Sequence, residues 1–495
     1  MAGTQPQLRR ELNIWETIGI SVALMAPSMA ANINPQGMVG TVGRAIPLTF
    51  VLALVGVLLV SYTFVKLCQK FHHSGSVYGF VGATLGPRAG VAAGWALLGT
   101  YTFYGVVTSM ACGRIFVAFL DGIGVWKSPP DWAAFLVAAL ALVLVYLLTV
   151  SPVRQGTRTL LTVEVLTVLL IVAVALIVVI RLAAGNAPGG THLTLTPFAV
   201  QPGTGTSDLF LGVVFGFLSF AGFEAAATLG EEARHPRRDI PRAILGTAIF
   251  GGIYFVFVTW VEVMGFGADP AGIKAFGNSG SLMGDLGSSF VGSWAGDLIS
   301  FGASVSAFGC ALACAVGASR LLYALSRDGV GPAALSRVSG RQGTPVPASV
   351  IVVAGMYLII AVMALVFRSD SLTVFVNSGV MGTLILLVAY VLATLGVIRL
   401  LFLGADRTTP RWQLAVPVLA LLVLLYTLWR NVYPYPSTDP STASFWLPIV
   451  CAVWVLLALV VILIRPEVAR RAGDRLAAEE GLSAGGSRDA TREAV

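Results

Sequence analysis

Apolar runs of about twenty residues recur along almost the whole chain, and each could carry a helix across ~30 Å of hydrocarbon. That repetition constrains the fold more than any other feature. A backbone in hydrocarbon must satisfy its own hydrogen bonds, which leaves only helices and closed barrels. The apolar–polar alternation of a lipid-facing barrel strand is absent. The chain therefore reads as an all-α polytopic membrane protein. Composition agrees: the 495 residues are 56% hydrophobic and only 11% charged, with a mean hydropathy of +0.85. A soluble surface for a chain of this size needs about twice that share of charge.

The periodicity predicts twelve transmembrane helices, at roughly 14–41, 45–68, 89–119, 131–150, 158–181, 207–232, 242–266, 288–326, 347–367, 372–402, 411–432 and 443–465. Residues 1–13 form a short N-terminal segment. Beyond Arg465 the sequence turns polar, and 466–495 reads as an amphipathic or disordered tail. The first apolar run is long and follows Arg9 and Arg10, so no cleavable signal peptide is expected.

The formal net charge of +7 could suggest nucleic acid, but its distribution is that of a topology signal. With the N-terminus inside, basic residues such as Lys66, Lys70, Arg154, Arg158, Arg234, Arg237, Arg238, Arg327, Arg399 and Arg407 fall on the cytoplasmic side. Only Arg44, Arg114, Lys127, Arg181, Lys274, Arg368 and Arg430, of the 31 Lys and Arg, fall at outer positions. The positive-inside rule then places both termini in the cytoplasm of a cell-membrane protein, and no nucleic-acid partner is expected.

Two spans weaken themselves near the middle. Span one carries "MAPSMAANINPQG", Met25 to Gly37, in which Pro27 removes a helix hydrogen bond, Ser28 and Asn32 follow, and Pro35 ends or kinks the helix. Span six carries "FGFLSFAGFEAAATLG", Phe215 to Gly230, with Gly216, Ser219 and Gly222 close together and then Glu224. Broken backbone is tolerated in a bilayer only where it faces protein or a water-filled cavity. Paired weak points five spans apart point to a transporter site built on inverted repeats, covering 14–181 and 207–402, with 411–465 as two added helices. Close packing or a simple kink is the alternative reading of each break. Freed N–H groups suit an anion and freed carbonyls a cation, so a zwitterion suits the pair. The predicted substrate site is accordingly Ala23, Met25, Ala26, Pro27, Ser28 and Ala30 on span one, with Phe215, Phe217, Ser219, Phe220 and Gly222 on span six. Glu224 is expected to accept N–H groups freed by the break.

Other residues admit two readings. Tyr101 and Tyr104, three apart in "GTYTFYG", are either a substrate wall offering ring faces to an amine or ordinary packing. Asn377 and Ser378 form a polar cluster in span ten that could face the cavity. Glu262, near the outer end of span seven, is expected to reach interfacial water. The five cysteines lie in or beside apolar runs; Cys310 and Cys314 are one turn apart, but with no accompanying ligand set they read as packing residues. His72, His73, His192 and His235 all fall in loops. No nucleophile–base set, phosphate loop or metal-ligand spacing is present, so neither an enzyme nor a cofactor is expected.

The stretch "AGFEAAATLGEEARHPRRDIPRAI" resembles the signature of the amino acid–polyamine–organocation (APC) superfamily of permeases. The match is carried by Gly222, Phe223, Glu224, Glu232, Pro236, Ile240, Pro241 and Arg242. "ASRLLYALSRDGVGP" (318–332) and "SGSVYGFVGATLGP" (74–87) resemble further segments of the same family. The resemblance implies ten core helices in two inverted five-helix repeats plus two more. It also implies a substrate site among spans one, three, six, eight and ten, and transport of amino acids or related amines. Glu224, Glu232, Pro236 and Arg242 then read as structural or gating residues, although a charged loop that merely fixes topology accounts for much of that segment. Two positions depart from the family pattern: "LMAPSMAAN" replaces a Gly-Ser-Gly type of break, and Leu218 stands where some amine exchangers carry a gating aromatic.

Glu164 is the one ionisable residue between Arg158 and Arg181. A lone carboxylate in a membrane helix costs ~2.5–3.5 kcal/mol on insertion scales and is a functional candidate by default. Some sodium-independent relatives place a lysine on span five beside the break in span one, so Glu164 is the candidate proton-coupling group. The alternative is structural pairing with Arg154 or Arg158. Sodium dependence is expected to be absent, because "GCALACAVGAS" (309–319) puts Cys and Ala where oxygen ligands would be needed. A saturable carrier, by proton coupling or exchange, is favoured over a channel or a transporter-like receptor. The partners implied are a small amino acid or amine, the lipid bilayer and protons.

Overall fold

The computed structural model describes residues 13–71, 77–151, 156–229, 233–339, 344–403, 409–465, 467–468 and 470–471. Among them the regular structure is helical, and ten helical segments are long and apolar enough to cross a membrane.

The first apolar run is broken into α1 (Ile14–Leu24), α2 (Pro27–Ile33) and the single turn α3 (Val39–Val42), and leads into α4 (Ile46–Lys70). A short helix unforeseen in the hydropathy pattern, α5 (Val77–Leu85), precedes the long α6 (Pro87–Gly122). Then come α7 (Trp132–Thr149) and α8 (Gly156–Ala183). Span six is α9 (Leu209–Phe220) followed, after a break, by a 3-10 segment at Ala225–Leu229. Pro236 and Pro241 were expected to stop helices, with span seven starting near 242. Instead α10 runs from Pro236 to Phe266, with Pro236 at its first position, where a missing N–H costs nothing, and Pro241 inside its second turn. Two amphipathic helices, α11 (Pro270–Asn278) and α12 (Leu282–Phe290), precede α13 (Ser293–Arg327). The chain continues through α14 (Val346–Ala361), α15 (Ser371–Ile398), α16 (Ala415–Arg430) and α17 (Ala443–Ile464).

The most extensive helix contacts are α13 on α6, α15 on α6 and α10 on α4. Small residues permit them: α6 carries glycines at 90, 94, 99, 105 and 113, and Gly317 of α13 and Gly382 of α15 lie against the rings of Tyr101 and Tyr104 on α6. Leucines such as Leu140, Leu166, Leu358 and Leu463 are exposed on the outer helices. This is the reverse of a soluble protein and suits lipid contact. The buried polar residues Ser28, Asn32, Glu164, Ser219 and Asn377 lie inside, which is where a transporter keeps them.

Candidate functional site

The break in span one is narrower than the sequence suggested. Helix α1 closes with the Met25 and Ala26 N–H groups donating to Val22 O (3.2 Å) and Ala23 O (3.1 Å). Ala26 then takes φ 46°, ψ 56°, a left-handed conformation that costs an L-residue ~1–2 kcal/mol. The reason is local: a proline disfavours right-handed α backbone in the residue before it. Pro27 therefore starts α2 instead of kinking a continuous helix. Ala23 and Ala30 lie within regular helix on either side.

The break in span six also differs from expectation. Gly216, Ser219 and Phe220 belong to the intact α9, and the unwinding is confined to Ala221–Glu224. Gly222 has φ +106°, a conformation essentially reserved for glycine. The chain descends through tight turns, with Phe223 N–H donating to Phe220 O (3.0 Å), Ala225 to Gly222 O (3.0 Å) and Ala227 to Glu224 O (2.8 Å). The Glu224 carboxylate holds the turn: Oε2 accepts from Gly222 N–H at 3.2 Å and Oε1 from the Tyr390 hydroxyl at 2.7 Å.

The two breaks meet. A Cβ on Gly222 would stand 3.1 Å from the carbonyl carbon of Leu24 and from the amide nitrogen of Met25. Beyond the contact lies Glu164, only 5% exposed, whose Oε1 accepts from the Ser28 backbone N–H (3.0 Å) and hydroxyl (2.6 Å). Its partner among the described residues is the start of α2; the alternative partners, Arg154 and the side chain of Arg158, lie outside the described residues. The Cys310 thiol reaches toward the Leu24 carbonyl at 3.8 Å.

One turn along α2, Asn32 anchors the other side of the break. Its Oδ1 accepts from Ser281 Oγ (2.8 Å) and from the Met283 and Gly284 N–H groups (3.0 and 3.3 Å) that begin α12. Its Nδ2 donates to Ser28 O at 2.8 Å. Gln36 adds donations to Phe276 O and Ser279 O. Helices α11 and α12 are thereby strapped across the end of span one.

A cavity of about 170 Å³ opens on the breaks. Met25, Tyr101, Tyr104, Leu218, Gly222 and Glu224 line it, with Cys310 and Cys314 opposite. The Tyr104 hydroxyl is bonded to Thr383 at 3.0 Å, and Leu218 occupies the wall where an aromatic gate was considered. Several predicted substrate residues support the site from behind, outside the lining. Ala26, Pro27 and Ser28 face the Glu164 side or the packed core. Phe215 covers Gly37, Phe217 approaches Gly56, and Phe220 meets Phe255 edge-on at 5.5 Å. Ser219 accepts from Asn34 Nδ2 at 2.8 Å. Asn377 lies away from the cavity, accepting from Ser444 at 3.4 Å.

Pro236 and Arg242 lie in the first turns of α10; Glu232 lies outside the described residues. Glu262, expected to reach water, is 0% exposed, and neither oxygen has a hydrogen-bond partner among the described residues, because the long α10 carries that face into the bundle. Two site residues went unpredicted: Tyr390, which bonds Glu224, and Phe64, which lines the cavity. A lone Tyr in the otherwise apolar "LILLVAYVLATLGV" was the available signal for the first; Phe64 carried none.

Comparison with known proteins places the chain in a family. The amino acid permease family model matches residues 12–464, and the chain belongs to that family, within the APC superfamily. It is a family of membrane transporters and not of enzymes. The branched-chain amino acid permease BcaP of Bacillus subtilis is 24% identical, over 92% of this chain and 93% of that protein. The low-affinity putrescine importer PlaP of Escherichia coli K12 is 27% identical, over 81% and 83%. A solved manganese transporter from Eremococcus coleocola shares the fold at a TM-score of 0.53 and 13% identity, covering 94% of this chain and 98% of its own.

Proposed function

We propose that this permease carries amino acids or related amines across the cell membrane by alternating access, binding them where the breaks of spans one and six meet. The observation that carries this reading is the cavity lined by Met25 and Gly222 together. In a membrane, unwound backbone is stable only beside such a cavity or buried in protein. Twelve crossings follow when α1–α3 and α4 count as two and the broken span six counts as one, with residues 14–181 and 207–402 as inverted repeats and both termini cytoplasmic.

The lining comes from the middle of the bundle and from one end of it: Val77, Leu97 and Gly317 lie toward the end that holds Ile14 and Lys70. At the other end the Asn32 strap closes over span one. This supports an inward-facing conformation with the outer path shut.

Glu164 is the proposed proton-coupling group. It bridges α8 to α2, so a change in its protonation alters the bond that holds the start of α2 in place. Sodium is not used: the thiol of Cys310 stands against the Leu24 carbonyl, and Na⁺ prefers oxygen to sulfur ligands. Uptake by the purified protein in proteoliposomes tests the reading. Saturable uptake of one solute class is expected, driven by an inward proton gradient. Glu164→Gln is expected to flatten the pH dependence and remove accumulation while leaving counterflow exchange. Accumulation by the variant with a normal pH profile would assign Glu164 a structural role.

A further inference from the structure

Each break turns a freed donor to a carboxylate of the protein. The Ser28 N–H and hydroxyl are held by Glu164. The Gly222 N–H is held by Glu224, and the N–H groups of Phe223, Ala225 and Ala227 turn back to preceding carbonyls. A substrate carboxylate would have to displace an internal carboxylate to reach Ser28 or Gly222, and a backbone carbonyl to reach the other three. Among the described residues no Lys, Arg or His lines the cavity; its one charged side chain is Glu224.

Resting on the reading of this cavity as the substrate site, we propose that the preferred substrate is a primary amine with an apolar tail and no carboxylate. Glu224 is the anchor for the ammonium group. A carboxylate has about four acceptor positions; Tyr390 and Gly222 use two of those on Glu224, a residue that lines the cavity. Tyr101 and Tyr104 line the same cavity, and aromatic rings favour a cation. The rest of the lining, including Leu24, Met29, Leu97, Val107 and Leu386, is apolar, so it fits a hydrocarbon tail better than a second charge. A zwitterion would bury its carboxylate here with no cationic partner among the described residues, which is unfavourable.

Matched pairs that differ only in the carboxylate test this: leucine against 3-methylbutylamine, phenylalanine against 2-phenylethylamine, and lysine against 1,5-diaminopentane. Small amines leak through bilayers unaided. Binding is therefore read as the ligand-induced rise in unfolding temperature of the purified protein in detergent. The two monoamines should half-saturate this rise at concentrations at least tenfold below their amino acids, and below 1,5-diaminopentane. Glu224→Gln keeps an acceptor at Tyr390 and should weaken the monoamines at least tenfold. Equal or stronger binding of the carboxylated members overturns the proposal while leaving the amino acid transport reading intact. So does undiminished amine binding by Glu224→Gln, which would make Glu224 a turn-holding residue only. No binding of any member, together with no saturable uptake of the amino acids above protein-free liposomes, overturns both.

Discussion

Replacing Gly222 by alanine asks whether the contact between the two breaks is needed for transport. Two costs arise at once. At φ +106° a side chain is strained regardless of surroundings, typically by ~1–3 kcal/mol. The new methyl would also stand 3.1 Å from the Leu24 carbonyl carbon and Met25 nitrogen and 3.2 Å from the Leu24 oxygen. Those atoms are backbone, so span one as a whole must recede by a few tenths of an ångström. A penalty of ~1–3 kcal/mol on conformations with this contact lowers their population about 5- to 150-fold. The initial rate of uptake into proteoliposomes, normalised to reconstituted protein, should fall by a similar factor. The variant should remain monodisperse in size-exclusion chromatography. Gly19→Ala is the control, since a Cβ there meets nothing within 4 Å and should leave uptake unchanged. A Gly222→Ala rate within twofold of that control would refute the reasoning.

Asn32→Ala should strand three buried donors, Ser281 Oγ and the N–H groups of Met283 and Gly284, at ~1–3 kcal/mol each. The unfolding temperature in detergent is expected to drop by several degrees and an engineered cysteine on α12 to become more reactive; an unchanged melt with Asn32→Ala would show that the strap contributes nothing. Tyr390→Phe removes one hydrogen bond from Glu224, worth ~1.5–3 kcal/mol to a charged acceptor, and should slow uptake about tenfold; wild-type uptake would mean the Gly222 bond suffices to set Glu224. Replacing Na⁺ by choline at constant pH should leave uptake unaltered, and its loss would require a sodium site that the Cys310–Leu24 contact argues against.

The helical class, the succession of long apolar helices and the existence of two breaks were legible in the chain, because each rests on nearest-neighbour chemistry. Twenty apolar residues make a membrane helix whatever surrounds them. Pro27 disfavours α backbone at Ala26 on its own, and Gly222 can take a positive φ without help. The same locality explains the misplacements. Gly216 and Ser219 looked like break residues but remain helical, since a glycine only permits unwinding and α9 loses no hydrogen bond there. Phe215, Phe217 and Phe220 looked like a substrate wall but turn toward α4, α10 and α15, and aromatic identity carries no information on facing direction.

What the sequence by itself determined about this protein is where its backbone is weak. What stabilises those weak points was decided by tertiary structure. Glu164 is 136 residues from Ser28, Tyr390 is 166 from Glu224, and Ser281 is 249 from Asn32. A freed N–H can be satisfied by substrate, water or any carboxylate that packing brings within 3 Å, and no local pattern records which. Only the packed bundle showed that the Ser28 and Gly222 N–H groups are answered by carboxylates of the protein, and that Glu224 is the one acidic side chain lining the cavity the breaks share.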